Sequence, residues 1–249
     1  MLVGTMVVLG LFLGFVGAGG SGFIVALLTV IFGYSIHIAS GTALAAMVFS
    51  SLSGAYSHFR SRQVALAPGL GIGSAGAVGA LITSHVAAHL PAHELKVLTA
   101  SMLFLSALVM AARLVLLSPE KRPLHSRLRP RDFRFWTKAL ILGLFVGSIS
   151  GMFGIGAAPF IQLGLLWILG IPLIKVPGTT MLVIVPTAIA GAIGYYHAGY
   201  LDFPLLAEVA LSMVLGTYVG AKFTRRLPQN VLKLAMVLIP VVGASIMLW

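Results

Sequence analysis

GFVGAGGSGF, residues 14–23, places five glycines in ten residues in the middle of an apolar run. Three readings compete for it. Gly17, Gly19 and Gly22 make a G-x-G-x-x-G dinucleotide fingerprint, and Gly19–Gly22 make a G-x-S-G string like that of an intramembrane serine protease, with Ser21 as nucleophile. The third reading is a backbone that must turn inside a bilayer. The dinucleotide reading fails because it needs a preceding strand and a later acid on the ribose. Here an apolar helix precedes the glycines, and Tyr34 to Gly41 contains no acid. The protease reading needs a histidine base from another helix, and a four-letter string in a chain with 29 glycines carries little weight.

The surroundings favour the turn. Of 249 residues, 59% are hydrophobic and 8% charged, whereas a soluble domain carries roughly 25% charged residues. Mean hydropathy is +1.07. The composition predicts an all-α polytopic membrane protein. The formal charge of +11 lies mostly in short segments between apolar runs, which is an orientation signal and not a nucleic-acid face. With no cysteine, a disulfide framework, a thiolate metal site and a cysteine nucleophile are excluded. The N-terminal run lacks a basic n-region and an early cleavage pattern, so it reads as part of the fold.

A spanning helix needs about 20 apolar residues. By that measure the predicted runs are 3–33, 36–58, 64–88, 94–117, 138–170, 173–196, 203–223 and 228–249. The first and fifth are too long for one crossing. Both carry glycine clusters near their middles, GAGGSG at 17–22 and GMFGIGAA at 151–158. A basic, proline-containing linker, residues 118–137, separates a first repeat, 1–117, from a second, 138–249.

Shifting the chain by 137 residues superposes Gly17 on Gly154, Gly19 on Gly156, Phe23 on Phe160, Gly33 on Gly170, Gly41 on Gly178, Thr42 on Thr179 and Gly54 on Gly191. A constant offset over some forty residues reads as a duplication. Eight crossings would divide the sixteen basic residues ten against six. If 3–33 and 138–170 instead enter and return as re-entrant or broken hairpins, each half crosses three times and only Lys96 stands apart from the other fifteen. Three is odd, so the two repeats are expected to be inverted, with basic loops cytoplasmic and both termini extracytoplasmic. Interrupted segments at matching positions of inverted repeats point to a secondary transporter whose site lies where the interruptions meet.

A glycine tip frees N–H groups at the start of each returning half-helix, near Phe23 and Pro159, and aims the positive end of its dipole inward. Two such ends facing each other at the midplane make an anion site without a buried arginine. The candidate substrate-binding residues are Gly17, Gly19, Gly20, Ser21 and Gly22 at the first tip and Gly154, Gly156 and Ala157 at the second. Gln162 follows the second tip, and Thr42, Thr179 and Thr180 open the next spans with hydroxyl donors. The competing account of each is close helix packing by small residues. Only five acids exist, Glu94, Glu120, Asp132, Asp202 and Glu208. Cation pumps and proton relays depend on intramembrane acids, so their scarcity favours an anion. Proton coupling would fall to Glu208, His58 or His197. His85, His89 and His93 are spaced as metal ligands on one helix face, but Pro91 interrupts that helix and only Glu94 backs them, so no metal or cofactor is expected.

At these residues the chain resembles the sulfite exporter TauE/SafE family, the 4-toluene sulfonate uptake permease group. The resemblance rests on GAGGSGFIVALL (17–28) with ASGTALAAMVFSSLSGAYSHFR (39–60), and on GSISGMFGIGAAPFIQLGLL (147–166) with VPGTTMLVIVPTAIAGAIGYYHAGYLDF (176–203). It covers nearly the whole chain apart from the linker. It implies a bacterial or archaeal inner-membrane carrier for sulfite, thiosulfate, sulfonates or related organosulfur anions, often exporting them; the expected inverted repeats would move the anion by alternating access. The family tip usually carries GGG where this chain has GAGGSG and GIGAA, a departure that bears on substrate preference. A non-transporting membrane assembly factor is the remaining alternative, one in which paired tips would have no purpose. Homo-oligomerisation stays open.

Overall fold

The structure, a computed structural model, describes residues 4, 7, 21–116, 132–224 and 229–248. Among them every regular element is helical: α1 Ser21–Val30, α2 Ile36–Arg60, α3 Leu66–Ala88, α4 Ala92–Leu116, α5 Phe133–Phe153, α6 Ala158–Leu163 with a π turn Gly164–Ile168, a 3-10 turn Leu173–Lys175 leading into α7 Val176–His197, then α8 Phe203–Thr224 and α9 Gln229–Leu248. Five of these, α2, α3, α4, α5 and α7, are long and apolar enough to cross a membrane. Large apolar side chains such as Leu52, Ile82, Ile141 and Leu211 face outward, as they must where the surrounding solvent is lipid. The protein is a multi-pass membrane protein.

The element starts keep the interval seen in the sequence. From 21 to 158, 36 to 173, 66 to 203 and 92 to 229 the difference is 137 each time. Loop details repeat too. Gly33 and Gly170 both have positive φ, 72° and 63°. The bond from Tyr34 N to Leu28 O (3.0 Å) recurs from Ile171 N to Leu165 O (2.9 Å), and that from Gln63 N to His58 O (2.9 Å) from Tyr200 N to Tyr195 O (2.9 Å).

The corresponding helices α2 and α7 pack antiparallel, and their contacts are reciprocal. A Cβ on Gly41, near the start of α2, would stand 2.9 Å from the Tyr200 carbonyl oxygen and 3.0 Å from Tyr195 Cβ, beyond and at the end of α7. One on Gly178, near the start of α7, would stand 2.5 Å from the Gln63 carbonyl oxygen and 2.6 Å from His58 Cβ, at the end of α2. Each pair maps onto the other by the same 137 residues.

Helix α3 is clamped between α5 and α7. Gly143, Gly147 and Gly151 of α5 bring its backbone onto the carbonyls of Ile72, Gly76 and Ala80, so that the two helices run in parallel in direct backbone contact, and Thr83 Oγ1 donates across the seam to Ser148 O at 2.9 Å. On its other side Gly73 receives Pro186 and Gly76 receives the Thr187 methyl of α7. This four-residue spacing of small residues is how helices associate where lipid removes the hydrophobic drive and leaves van der Waals contact.

Helix α5 is long enough to span, yet its apolar part is shorter than its length. Arg134, Trp136 and Lys138 occupy its first turns, in the manner of an interfacial anchor. The fifteen residues 139–153 rise only about 22 Å against a hydrocarbon core of about 30 Å. Its neighbour fixes the depth: Gly151 meets Ala80, eight residues before α3 ends, or about 12 Å short of that end. The chain then turns at 154–157 and comes back, with Gly164 of the return arm packed on Leu142 of the entering arm. Helix α5 and α6 with its π turn therefore form a broken helical hairpin with arms of unequal length. Its tip lies beside Ser40 and Met47 in the first half of α2, just past the level at which Gly151 meets Ala80 of α3. Of the hairpin expected over 3–33, only residues 4 and 7 and α1 with the turn after it fall within the described residues; its expected tip, residues 17–20, lies outside them.

Candidate functional site

The tip of the second hairpin is built from three successive departures from helix. Gly154 ends α5 in the left-handed region (φ 70°), its N–H bonded to Ser150 O at 2.9 Å. Gly156 and Ala157 follow with φ 60° and 47°. For alanine this region costs roughly 1 kcal/mol, offset here by complete burial of the residue. Ala157 N donates to Ile155 O at 2.7 Å, and Ile161 N donates to Ala157 O at 3.0 Å, which starts α6. Pro159 lies in that first turn, where no N–H partner is required.

The start of α1 meets this tip. Ser21 Oγ lies 3.3 Å from where a Cβ on Gly156 would stand, and Ile155 Cγ2 lies 3.1 Å from the corresponding point on Gly22. Met47 of α2 and Leu103 of α4 close against Gly156 and Gly22 respectively. Ser40 of α2 abuts Gly154, its Oγ 3.0 Å from the Cβ position. Tyr195 of α7 donates its phenol proton to Met152 O at 3.1 Å and so ties the end of α5 to α7, and the Ser40 side chain stands beside that phenol.

Several hydroxyls here are buried and unpartnered. Ser21, Ser40 and Ser150 are at most 2% exposed, and none of their oxygens has a hydrogen-bond partner among the described residues. A serine in a helix ordinarily bonds back to the preceding turn, as Ser51 does to Met47 O and Ser212 to Glu208 O. The chemistry of this cluster is that of neutral donors around a tight backbone turn. Among the described residues Ser21 Oγ has no hydrogen-bonded base beside it.

The sequence-predicted residues divide into groups. Ser21, Gly22, Gly154, Gly156 and Ala157 converge. Gly17, Gly19 and Gly20 lie outside the described residues. Gln162 is buried on α6. Thr42 is fully buried two residues after Ser40, its hydroxyl unpartnered. Thr179 is engaged elsewhere: its Oγ1 donates to Lys175 O at 2.6 Å and accepts from Ala65 N at 3.0 Å, fastening the α2–α3 connection to α7. It lies sixteen residues, about 24 Å, along α7 from Tyr195. Thr180 is buried with an unpartnered hydroxyl on the same distant turn. Sequence reasoning passed over Ser40, Ser150 and Tyr195. The first two are polar residues inside apolar runs, next to Gly41 and Gly151, which is a readable signal.

The histidines do not gather. Among the described residues no group of three metal-ligating side chains occurs. His37 bonds through Nε2 to Leu90 O (3.1 Å) and stacks on Tyr200 at 4.7 Å, joining three connections at one end of the bundle. His89 Nδ1 is held by His85 O at 2.8 Å.

Comparison with known proteins agrees with this architecture. The chain is 45% identical over 249 residues to "Probable membrane transporter protein YdhB" of Bacillus subtilis (strain 168), covering all of both chains. It is 24% identical to "Probable membrane transporter protein YjnA" of the same organism, over 93% of this chain and 94% of the other. It is 23% identical to "Probable membrane transporter protein MJ0441" of Methanocaldococcus jannaschii, over 95% and 91%. No solved structure matches it. The sulfite exporter TauE/SafE family model matches residues 2–247, and the chain belongs to that family of membrane transporters.

Proposed function

We propose that this protein is a secondary transporter that carries a small sulfur-containing anion, such as sulfite, thiosulfate or a sulfonate, across the inner membrane by alternating access, in the direction of export. The observation that carries the reading is the meeting of Ser21 with Gly156, which brings the return arm of one half against the interrupted tip of the other. Irregular backbone at such depth is tolerated where protein or a cavity satisfies it, and the unpaired N–H groups of a returning helix are donors for an anion. The antiparallel, reciprocal packing of α2 on α7 supports inverted repeats, and such repeats supply the two alternative tilts that alternating access requires. Backbone N–H groups of both tips, Ser21 and Thr42 would hold the anion, with Gln162 and Thr180 lining its path and Thr179 holding the α2–α3 connection. The basic loops, with Arg60, Arg62, Arg134 and Lys175, would face the cytoplasm, and both termini the outside.

The test is flux in proteoliposomes containing the purified protein, with sulfite, thiosulfate and a sulfonate supplied separately. Saturable movement of at least one, lost in Gly156→Leu, supports the proposal. Absence of flux for all three overturns it.

A further inference from the structure

Charge is missing from every segment that builds the tip. Residues 1–59 contain no lysine, arginine, aspartate or glutamate, nor do 139–174, 176–201 or 97–112. What the second tip offers instead is the hydroxyls of Ser21 and Ser40 flanking Gly156 and Gly154, with Ser150 one turn earlier, all buried and, among the described residues, without a hydrogen-bond partner. Their repeat counterparts at the 137-residue interval are Ala158, Pro177 and Leu13, none of which carries a side-chain donor. The polar end of the site is therefore one-sided, and Met47, Leu103 and Ile155 pack beside it.

The desolvation cost of an ion grows as the square of its charge, so a dianion loses about four times as much hydration as a monoanion of the same size. A few neutral donors with no fixed cation offer a dianion only about twice the stabilisation that they offer a monoanion. We infer that this site selects by charge: it takes singly charged oxyanions, an alkyl sulfonate or the hydrogen form of sulfite, with the oxygens on Ser21 and Ser40, and it rejects shape-matched dianions. The inference rests on the transport reading above and narrows it: of the anions named there, thiosulfate is a dianion and is expected to be rejected with sulfate, and sulfite to move in its hydrogen form.

Methanesulfonate and sulfate are tetrahedral and close in size, and they differ by one charge. Counterflow of each in proteoliposomes of the full chain is expected to show methanesulfonate saturating and sulfate at least about tenfold less efficient. Ser21→Ala and Ser40→Ala should each raise KM for methanesulfonate about tenfold, the loss of one hydrogen bond to a charged group. Their thermal unfolding should stay unchanged, because an unpartnered hydroxyl contributes no bond to the fold. Ser101→Ala, on the outward face of α4, serves as the control. Equal handling of sulfate and methanesulfonate, or an unchanged KM in both alanine variants, overturns the charge filter while transport itself stands. If sulfite, thiosulfate and methanesulfonate all fail to move, the transport reading falls and this inference with it.

Discussion

Ser21 Oγ stands 3.3 Å from the point that a Cβ on Gly156 would occupy, so the start of α1 touches the second half of the chain where it has left regular helix. At Gly156 the backbone has φ 60°, and the Met47 thioether closes over the remaining space. Gly156→Leu is therefore expected to abolish flux, since a branched side chain would meet Met47 and Ser21 and adopt a backbone region that it disfavours. Ser21→Ala keeps its maximal rate. Initial rates over a range of substrate concentration separate the two, and a loss of maximal rate in Ser21→Ala as large as that of Gly156→Leu would refute the assignment.

Gly147 meets the Gly76 carbonyl with no room for a methyl group. Gly147→Ala should lower stability by about 1–3 kcal/mol through overpacking, and Gly147→Leu should prevent assembly of the α3–α5 seam. Gly199→Ala is an informative contrast: nothing lies within 4 Å of its Cβ position, and its φ of 80° alone sets the cost. Melting in detergent, followed by fluorescence-detected size exclusion, checks the order Gly147→Leu worst, Gly147→Ala next.

Much of this arrangement is readable from sequence because it depends on local pattern. Apolar run length places α2, α3, α4 and α7 within a few residues, and the GMFGIGAA cluster marks where α5 stops. The 137-residue interval survives into turn conformations because Gly33 and Gly170 each close a short return arm before the next span. Packing partners are less legible. Thr42 and Thr179 occupy equivalent positions in the two halves, yet Thr179 is consumed by Ala65 N and Thr42 is left unpartnered. The sequence difference responsible lies in the segment each faces, which spacing along the chain does not reveal. The contact of Tyr195 with Met152 is likewise tertiary, joining residues 43 apart.

Thr179 and Thr180 are adjacent but should differ in mutation. Thr179→Val removes the acceptor for Ala65 N and leaves that N–H without a partner, at a cost of about 1–3 kcal/mol. Thr180→Val is isosteric, breaks no bond, and should leave stability unchanged or slightly raised. Thermal midpoints of the two variants measured side by side check this, and equal losses would contradict the bonding described.

Tyr195→Phe removes the phenol bond to Met152 O and keeps the buried ring. The expected loss is about 1 kcal/mol of stability, together with a lower maximal transport rate, because the end of α5 is then held to α7 by packing alone. Tyr195→Leu should lose more stability through the cavity it creates. A phenylalanine variant with wild-type rate and melting would show that the tip is fixed without that bond.

Ser61 and Ala198 cap equivalent helices, 137 residues apart, at opposite ends of the antiparallel pair α2 and α7. If the halves are inverted, these two caps open to opposite sides of the membrane. The chain has no cysteine, so Ser61→Cys and Ala198→Cys can each be introduced singly without a background. In intact cells a membrane-impermeant maleimide should label Ala198→Cys, while Ser61→Cys, beside Arg60 and Arg62, should react only after the membrane is opened. Labelling of both from the same side would mean that α2 and α7 do not cross in opposite directions, and with that the inverted repeat and its two-state tilt would be lost.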